Sequence, residues 1–163
     1  MGKVMTKMKI WNYEDEVRAK YGYITSEDVR MKEVEALVDT GATLLVLPEN
    51  LVQELGLPLS EKVSVTYADG KKGKRKLARG IVVEILGRKG EFNAVVEKDE
   101  GRILLGQVVL ETLDLYPNPT KGILEPRPGH SEMPLIELYK CDINHNKIFK
   151  NGYNKYRGKL WEK

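Results

Sequence analysis

The chain has 163 residues, 41% of them hydrophobic and 31% charged, and a formal net charge of +3. That length supports one domain with a real core, and no apolar run is long enough to cross a bilayer. The charge is too small to point to a nucleic-acid partner, and the single cysteine, Cys141, excludes an internal disulfide. With no disulfide and no apolar leader over Met1 to Ile10, the chain fits a reducing, cytoplasmic setting. Met1, Gly2 and Thr6 match a myristoylation pattern, but so short a pattern arises by coincidence.

Residues 5–12 read as a first strand. Residues 13–31 mix charges and aromatics without a clean period, which predicts a loop or irregular hairpin with a helical turn near Glu14–Lys20. Residues 32–38 form a strand that turns fully apolar at Leu37 and Val38 and delivers Asp39 to its end. A carboxylate in that place is costly unless hydrogen bonds or function hold it there. Thr40, Gly41, Ala42 and Thr43 follow. Gly41 allows a tight turn and close approach to a ligand, and the two threonine hydroxyls can hold the turn and orient the carboxylate.

Pro48 to Gly56 has proline at the start, glycine past the end and Leu51, Val52 and Leu55 on one side, a short helix. Val63, Val65 and Tyr67 alternate with polar residues as a half-buried strand does. Ala68, Asp69 and Gly70 lead into a turn, and the chain resumes as a strand from Leu77 to Leu86. The two arms make a long hairpin with its tip near 69–74, and residues 71–76 carry five cations. Gly87 to Gly90 turns the chain again, Phe92 to Glu97 is a strand, and Asp99–Gly101 turns into Ile103, Leu104 and Leu105. Gly106 to Leu113 reads as a short helix, and Leu115 and Tyr116 begin a last strand. Proline and glycine from 117 to 134 send the chain over the surface, with one more strand expected at 133–139.

Many short strands separated by turns predict an all-β sandwich or barrel. The expected division is a folded domain over 1–140 and a basic, aromatic tail over 141–163, docked or disordered. Cys141, Asp142 and His145 lie close together, yet no second cluster completes a metal site. Phe149, Tyr153, Tyr156 and Trp161 stand among cations, a pattern that stacks on single-stranded nucleic acid but more often marks ordinary surface. No phosphate loop and no serine–histidine pattern is present.

The run Leu-Val-Asp-Thr-Gly-Ala-Thr at 37–43 resembles the active-site loop of the retropepsin-like aspartic proteases. Leu104, Leu105 and Gly106, followed by Val108, Val109 and Leu110, resemble that family's second signature. The resemblance covers residues 32–116 and implies a closed β-barrel lobe with a flap hairpin and one or two short helices. It implies Asp39 as the catalytic acid, Thr40 to Thr43 as its loop and Leu104 to Gly106 as the stretch packed behind it. It implies the 63–82 hairpin, with Tyr67, Ala68, Asp69 and Gly70, as a flap that closes over a peptide substrate.

Only one Asp-Thr-Gly run is present, and aspartic proteolysis needs two carboxylates sharing a proton. A twofold homodimer supplies the second, and no cofactor is required. The chain departs from the viral pattern at three places. The hairpin tip is basic where viral flaps are apolar and glycine-rich, which suits acidic substrates by complementarity. Thr43 and Gln107 stand where viral enzymes carry an aspartate–arginine pair, so the dimer must be held differently. The chain also runs well past Leu113, where viral chains end. Two other readings remain: a scaffold or binding module with the same fold and weak catalysis, and a basic-tailed adaptor for nucleic acid or acidic partners.

Overall fold

The computed structural model describes residues 3–67, 69–98 and 101–135. Ala68, most of the strand expected at 133–139, the Cys141, Asp142 and His145 cluster and the basic tail lie outside the described residues. Among the described residues the elements are, in chain order, β1 (Met5–Asn12), α1 (Tyr13–Lys20), a 3-10 turn (Ser26–Asp28), β2 (Met31–Val38), β3 (Leu45–Pro48), α2 (Glu49–Glu54), β4 (Leu59–Thr66), β5 (Lys72–Ile85), β6 (Arg88–Glu97), β7 (Leu104–Leu105), α3 (Gln107–Thr112), β8 (Leu115–Asn118) and β9 (Ile123–Pro126).

Seven strands share one sheet in the order β1-β2-β7-β3-β6-β5-β4, and β1 also pairs with β5. That extra pairing closes the sheet into the all-β barrel the sequence predicts. Closure leaves the first six strands without free edges along their shared ladders. Inward-facing Met8, Ile10, Ala36, Leu45, Leu47, Ile81, Val83, Ile85 and Leu105 fill the barrel, each at most 2% exposed. The strand β5 serves both the barrel and the hairpin. Its register against β6 shifts between Ala78 and Ile81, where Gly80 has φ +66°, and this bulge bends one half away from the other. The half before the bulge pairs with β4, and the half after it pairs with β1.

The structure corrects several expectations, among them the turn at Gly87–Gly90: β6 begins at Arg88, and Arg88, Lys89 and Gly90 pair with Ile85, Glu84 and Val83. Residues 13–20 are a full helix rather than a loop, because Asn12 caps it: the Asn12 side chain accepts from the Glu14 N–H at 2.9 Å. The acidic Glu14, Asp15 and Glu16 in its first turn and Arg18 and Lys20 in its last suit the helix dipole. Residues 45–48 form β3, a short strand buried between β6 and β7, which the helix signal at Pro48 hid; Pro48 itself precedes α2 as its N-cap. The strand β5 begins at Lys72 and not Leu77, because pairing with β4 overrides the weak strand preference of lysine. Residues 117–126 do not simply wander: β8 and β9 make an antiparallel hairpin of their own.

Two buried polar groups tie the pieces together. Asn12 is fully buried, and its Nδ2 donates to the Leu55 and Gly56 carbonyls, both at 3.0 Å. Arg88, 6% exposed, donates to the Leu113 and Asp114 carbonyls at 2.8 and 2.6 Å and to the His130 carbonyl. The buried Asp114 carboxylate in turn meets His130 Nδ1 at 2.7 Å, Arg127 at 3.2 Å and the Leu135 N–H at 3.0 Å. Burial raises the Asp114 carboxyl, but the Leu135 N–H, His130 and Arg88 outweigh it and hold it below its ordinary 3.8. This network straps residues 114–135 onto the barrel.

Candidate active site

Asp39 stands one residue past the end of β2, and β7 fixes that end from beside it. Leu37 and Val38 pair in parallel with Leu104 and Leu105. The Leu37 N–H donates to the Ile103 carbonyl at 2.9 Å, and the Asp39 N–H to the Leu105 carbonyl at 3.1 Å. The Ala42 N–H then donates back to the Asp39 carbonyl at 3.1 Å and closes a turn. Within that turn the Gly41 N–H donates to Asp39 Oδ1 at 2.9 Å. The other carboxylate oxygen has no hydrogen-bond partner among the described residues. Asp39 is half-buried.

Neither Thr40 nor Thr43 bonds the carboxylate with its hydroxyl among the described residues; the Gly41 backbone orients it instead. Gly41 has no left-handed backbone, so its φ does not demand glycine. Space is tight but not closed: a Cβ there would sit 3.2 Å from Asp39 Oδ1, so a larger residue would press on the carboxylate. Thr40, Gly41 and Thr43 are exposed and Ala42 is half-buried.

Gly106 sits directly behind this loop. A Cβ at Gly106 would lie 2.3 Å from the Leu44 carbonyl oxygen and 2.8 Å from that of Ala42, so only glycine fits. The close approach lets the Gln107 N–H donate to the Ala42 carbonyl at 2.8 Å and the Val108 N–H to the Thr43 carbonyl at 3.0 Å. Those are donors of the first turn of α3, which has no side-chain cap, so the loop itself caps the helix. Where the aspartate–arginine pair is missing, these backbone bonds join loop to helix. The Gln107 side chain turns along the helix and bonds Glu111 at 2.7 Å. The structure therefore brings the Asp39–Thr43 and Leu104–Gly106 stretches together.

The hairpin of β4 and β5 is a second unit. The Tyr67 N–H donates to the Lys71 carbonyl at 2.8 Å and the Gly70 N–H to the Tyr67 carbonyl at 2.9 Å, which closes its tip. Gly70 has φ +79°, a conformation the turn needs and glycine supplies. Asp69 bonds the Lys71 N–H and pairs with its ammonium at 2.8 Å, and those bonds lower its carboxyl. Tyr67 donates its hydroxyl to Glu97 at 2.7 Å, and Arg75 bonds the same carboxylate at 2.9 Å while covering the Tyr67 ring. The Glu97 bond raises the Tyr67 hydroxyl above its usual range and keeps it a donor. No hydrogen bond joins Tyr67, Asp69 or Gly70 to the Asp39 loop among the described residues. The Glu97 clasp is a feature that sequence reasoning missed, since Glu97 lies 30 residues from Tyr67 with no local signal between them.

A sequence model of the family described as "gag-polyprotein putative aspartyl protease" matches residues 28–112, about half of the chain. The chain belongs to this family. No curated protein matches it. The aspartyl protease match begins just before β2 and ends with α3, so it takes in the Asp39 loop, the hairpin and Gly106. The strap over 114–135 and the β8–β9 hairpin lie outside the matched span. No helix among the described residues is long and apolar enough to cross a membrane.

Proposed function

We propose that the chain is an aspartic endopeptidase whose active form is a homodimer with Asp39 of each copy at the twofold axis. The observation that carries this reading is the Asp39 carboxylate itself. One oxygen accepts from the Gly41 N–H at 2.9 Å and the other has no hydrogen-bond partner among the described residues, on a loop that the match to the aspartyl protease family includes.

The chemistry follows from two such groups about 3 Å apart, which hold one proton between them because both cannot ionise together. The ionised Asp39 takes a proton from a bound water. That water attacks the peptide carbonyl as the protonated Asp39 of the second copy donates to the carbonyl oxygen. The tetrahedral intermediate collapses as the amide nitrogen takes up a proton, the peptide bond breaks and both carboxyls are restored. No covalent intermediate with the protein forms. Thr40 and Thr43 lie at the loop's exposed surface, Gly41 and Ala42 give it a narrow profile for substrate, and Tyr67, Asp69 and Gly70 stand at the tip of the flap.

The test is digestion of a peptide library across about pH 3–8 with an Asp39→Asn control. Cleavage by the wild type and none by the variant is expected, with both sedimenting as dimers and melting alike. Equal products from the two proteins, or a wild type that stays monomeric while cutting, would overturn the reading. A dimer that cuts nothing would favour the scaffold module.

A further inference from the structure

The ladder between β4 and β5 pairs Lys62 with Lys76, Ser64 with Lys74 and Thr66 with Lys72. All six residues are exposed. They share one face of the ribbon, because side chains alternate along a strand. The other face carries the half-buried Val63, Val65, Tyr67, Arg75 and Leu77. One face therefore bears four lysines and two hydroxyls. None of the four lysines has a salt bridge among the described residues; Glu61, at the bulge before Lys62, and Asp69, paired with Lys71, are the nearest acids along the hairpin.

Like charges directly opposite each other destabilise a ladder. Protection of a ribbon edge from aggregation needs charge, but not four charges of one sign. The β1–β2 ribbon of the same molecule sets Lys7 against Glu35 and Lys9 against Glu33. Lys72, Lys74 and Lys76 repeat every second residue, about 6.8 Å apart, which is also the spacing of alternate side chains in an extended peptide. Single-stranded nucleic acid would want aromatic platforms among the cations. This face has none, since the Tyr67 ring lies on the other side under Arg75 and its hydroxyl bonds Glu97.

We propose that Lys62, Lys72, Lys74 and Lys76 form a docking face for an acidic, extended segment of the protein substrate that flanks the bond to be cut. The purpose of this face rests on the peptidase reading, whereas its binding does not. The face raises the local concentration of substrates with an acidic flank and leaves bond cleavage to Asp39.

The binding test uses the full chain carrying Asp39→Asn, with fluorescent hexaglutamate followed by anisotropy. Salt-sensitive binding is expected. Replacing Lys72, Lys74 and Lys76 together by Gln should weaken it about tenfold, as three exposed pairs are lost. Replacing Lys7, Lys9 and Lys20 by Gln removes the same charge and should leave affinity within about threefold. Equal loss in both triple variants, no binding at low salt, or tighter binding of hexathymidylate than of hexaglutamate would each overturn the proposal. In the active chain, the hairpin variant should raise KM for a cleaved peptide with a glutamate flank and not for its glutamine-flanked twin. A chain that binds hexaglutamate but cuts nothing would sink the peptidase reading and leave the docking face standing. A chain that cuts peptides but ignores the flank would do the reverse.

Discussion

The two halves of β5 are one strand with two compositions. From Ile81 to Ile85 it is flanked by β1 and β6, and Ile81, Val82, Val83 and Ile85 are all at most 2% exposed. From Lys72 to Lys76 it pairs with β4 alone, and Lys72, Lys74 and Lys76 face solvent. A strand enclosed by neighbours is apolar wherever its side chains are buried, because unpaired charge there loses its water, and the one charged residue of this half, Glu84, stands opposite Lys9. A strand with one neighbour is free of that demand, so its composition can answer to something outside the fold. The hairpin is where this barrel tolerates a composition that the fold itself does not favour.

The largest expected effect lies in the enclosed half. Ile81→Ala should lower stability by about 2–5 kcal/mol, and Val65→Ala on the hairpin by much less, both read by denaturant unfolding. Equal losses would erase the distinction between the halves. Acid gives the next test. Asp114 is held below its ordinary 3.8, and Glu125 is pushed down to about 2, chiefly by Asn118 and then by Tyr116. Both carboxyls are lowered on folding, so their contribution is whole above the ordinary values and is lost as pH falls through the folded ones. Melting followed from pH 6 down to about 2 should therefore show the strapped barrel weakening below about pH 4. An Asp114→Asn variant should start less stable and flatten that slope.

Smaller effects belong to the ends and faces of the same strand. Leu86 follows β5 with φ +51° at 59% exposure, a left-handed turn position that suits Asn or Gly. Leu86→Asn should raise stability by about 1 kcal/mol, measured by thermal melting. Lys76→Glu, opposite Lys62, should stabilise by a few tenths of a kcal/mol, or about 0.2–1, while Lys9→Glu, opposite Glu33 and Glu84, should destabilise by a similar amount. Two changes of the same chemistry with opposite signs would establish that the β4–β5 lysines work against the fold.

Much of the barrel was legible because its strands follow local rules. The first strand at 5–12, the apolar strand leading to Asp39 and the short helix after Gly106 all stand where alternation and turn residues put them. The turn after β2 was legible because Asp39 ends an apolar run and Gly41 follows it. What stayed hidden depends on contacts distant in sequence. Asn12 decides that residues 13–20 are helical only because its side chain can cap them while its amide reaches Leu55 and Gly56. The strap needs Arg88 to meet carbonyls 25 to 42 residues away, and no periodicity announces that. The reason for Gly106 was equally invisible, since the atoms that exclude a side chain belong to Ala42 and Leu44.

That last contact has a mechanical consequence. With no room at Gly106, with the Asp39 N–H bonded to Leu105 before it and the Gln107 and Val108 N–H groups bonded to Ala42 and Thr43 after it, the Asp39 loop and the start of α3 are tied into one unit. Val108, 38% exposed on that helix, presents this unit to solvent. Any displacement of α3 is then passed on to the loop that holds Asp39 rather than absorbed between them.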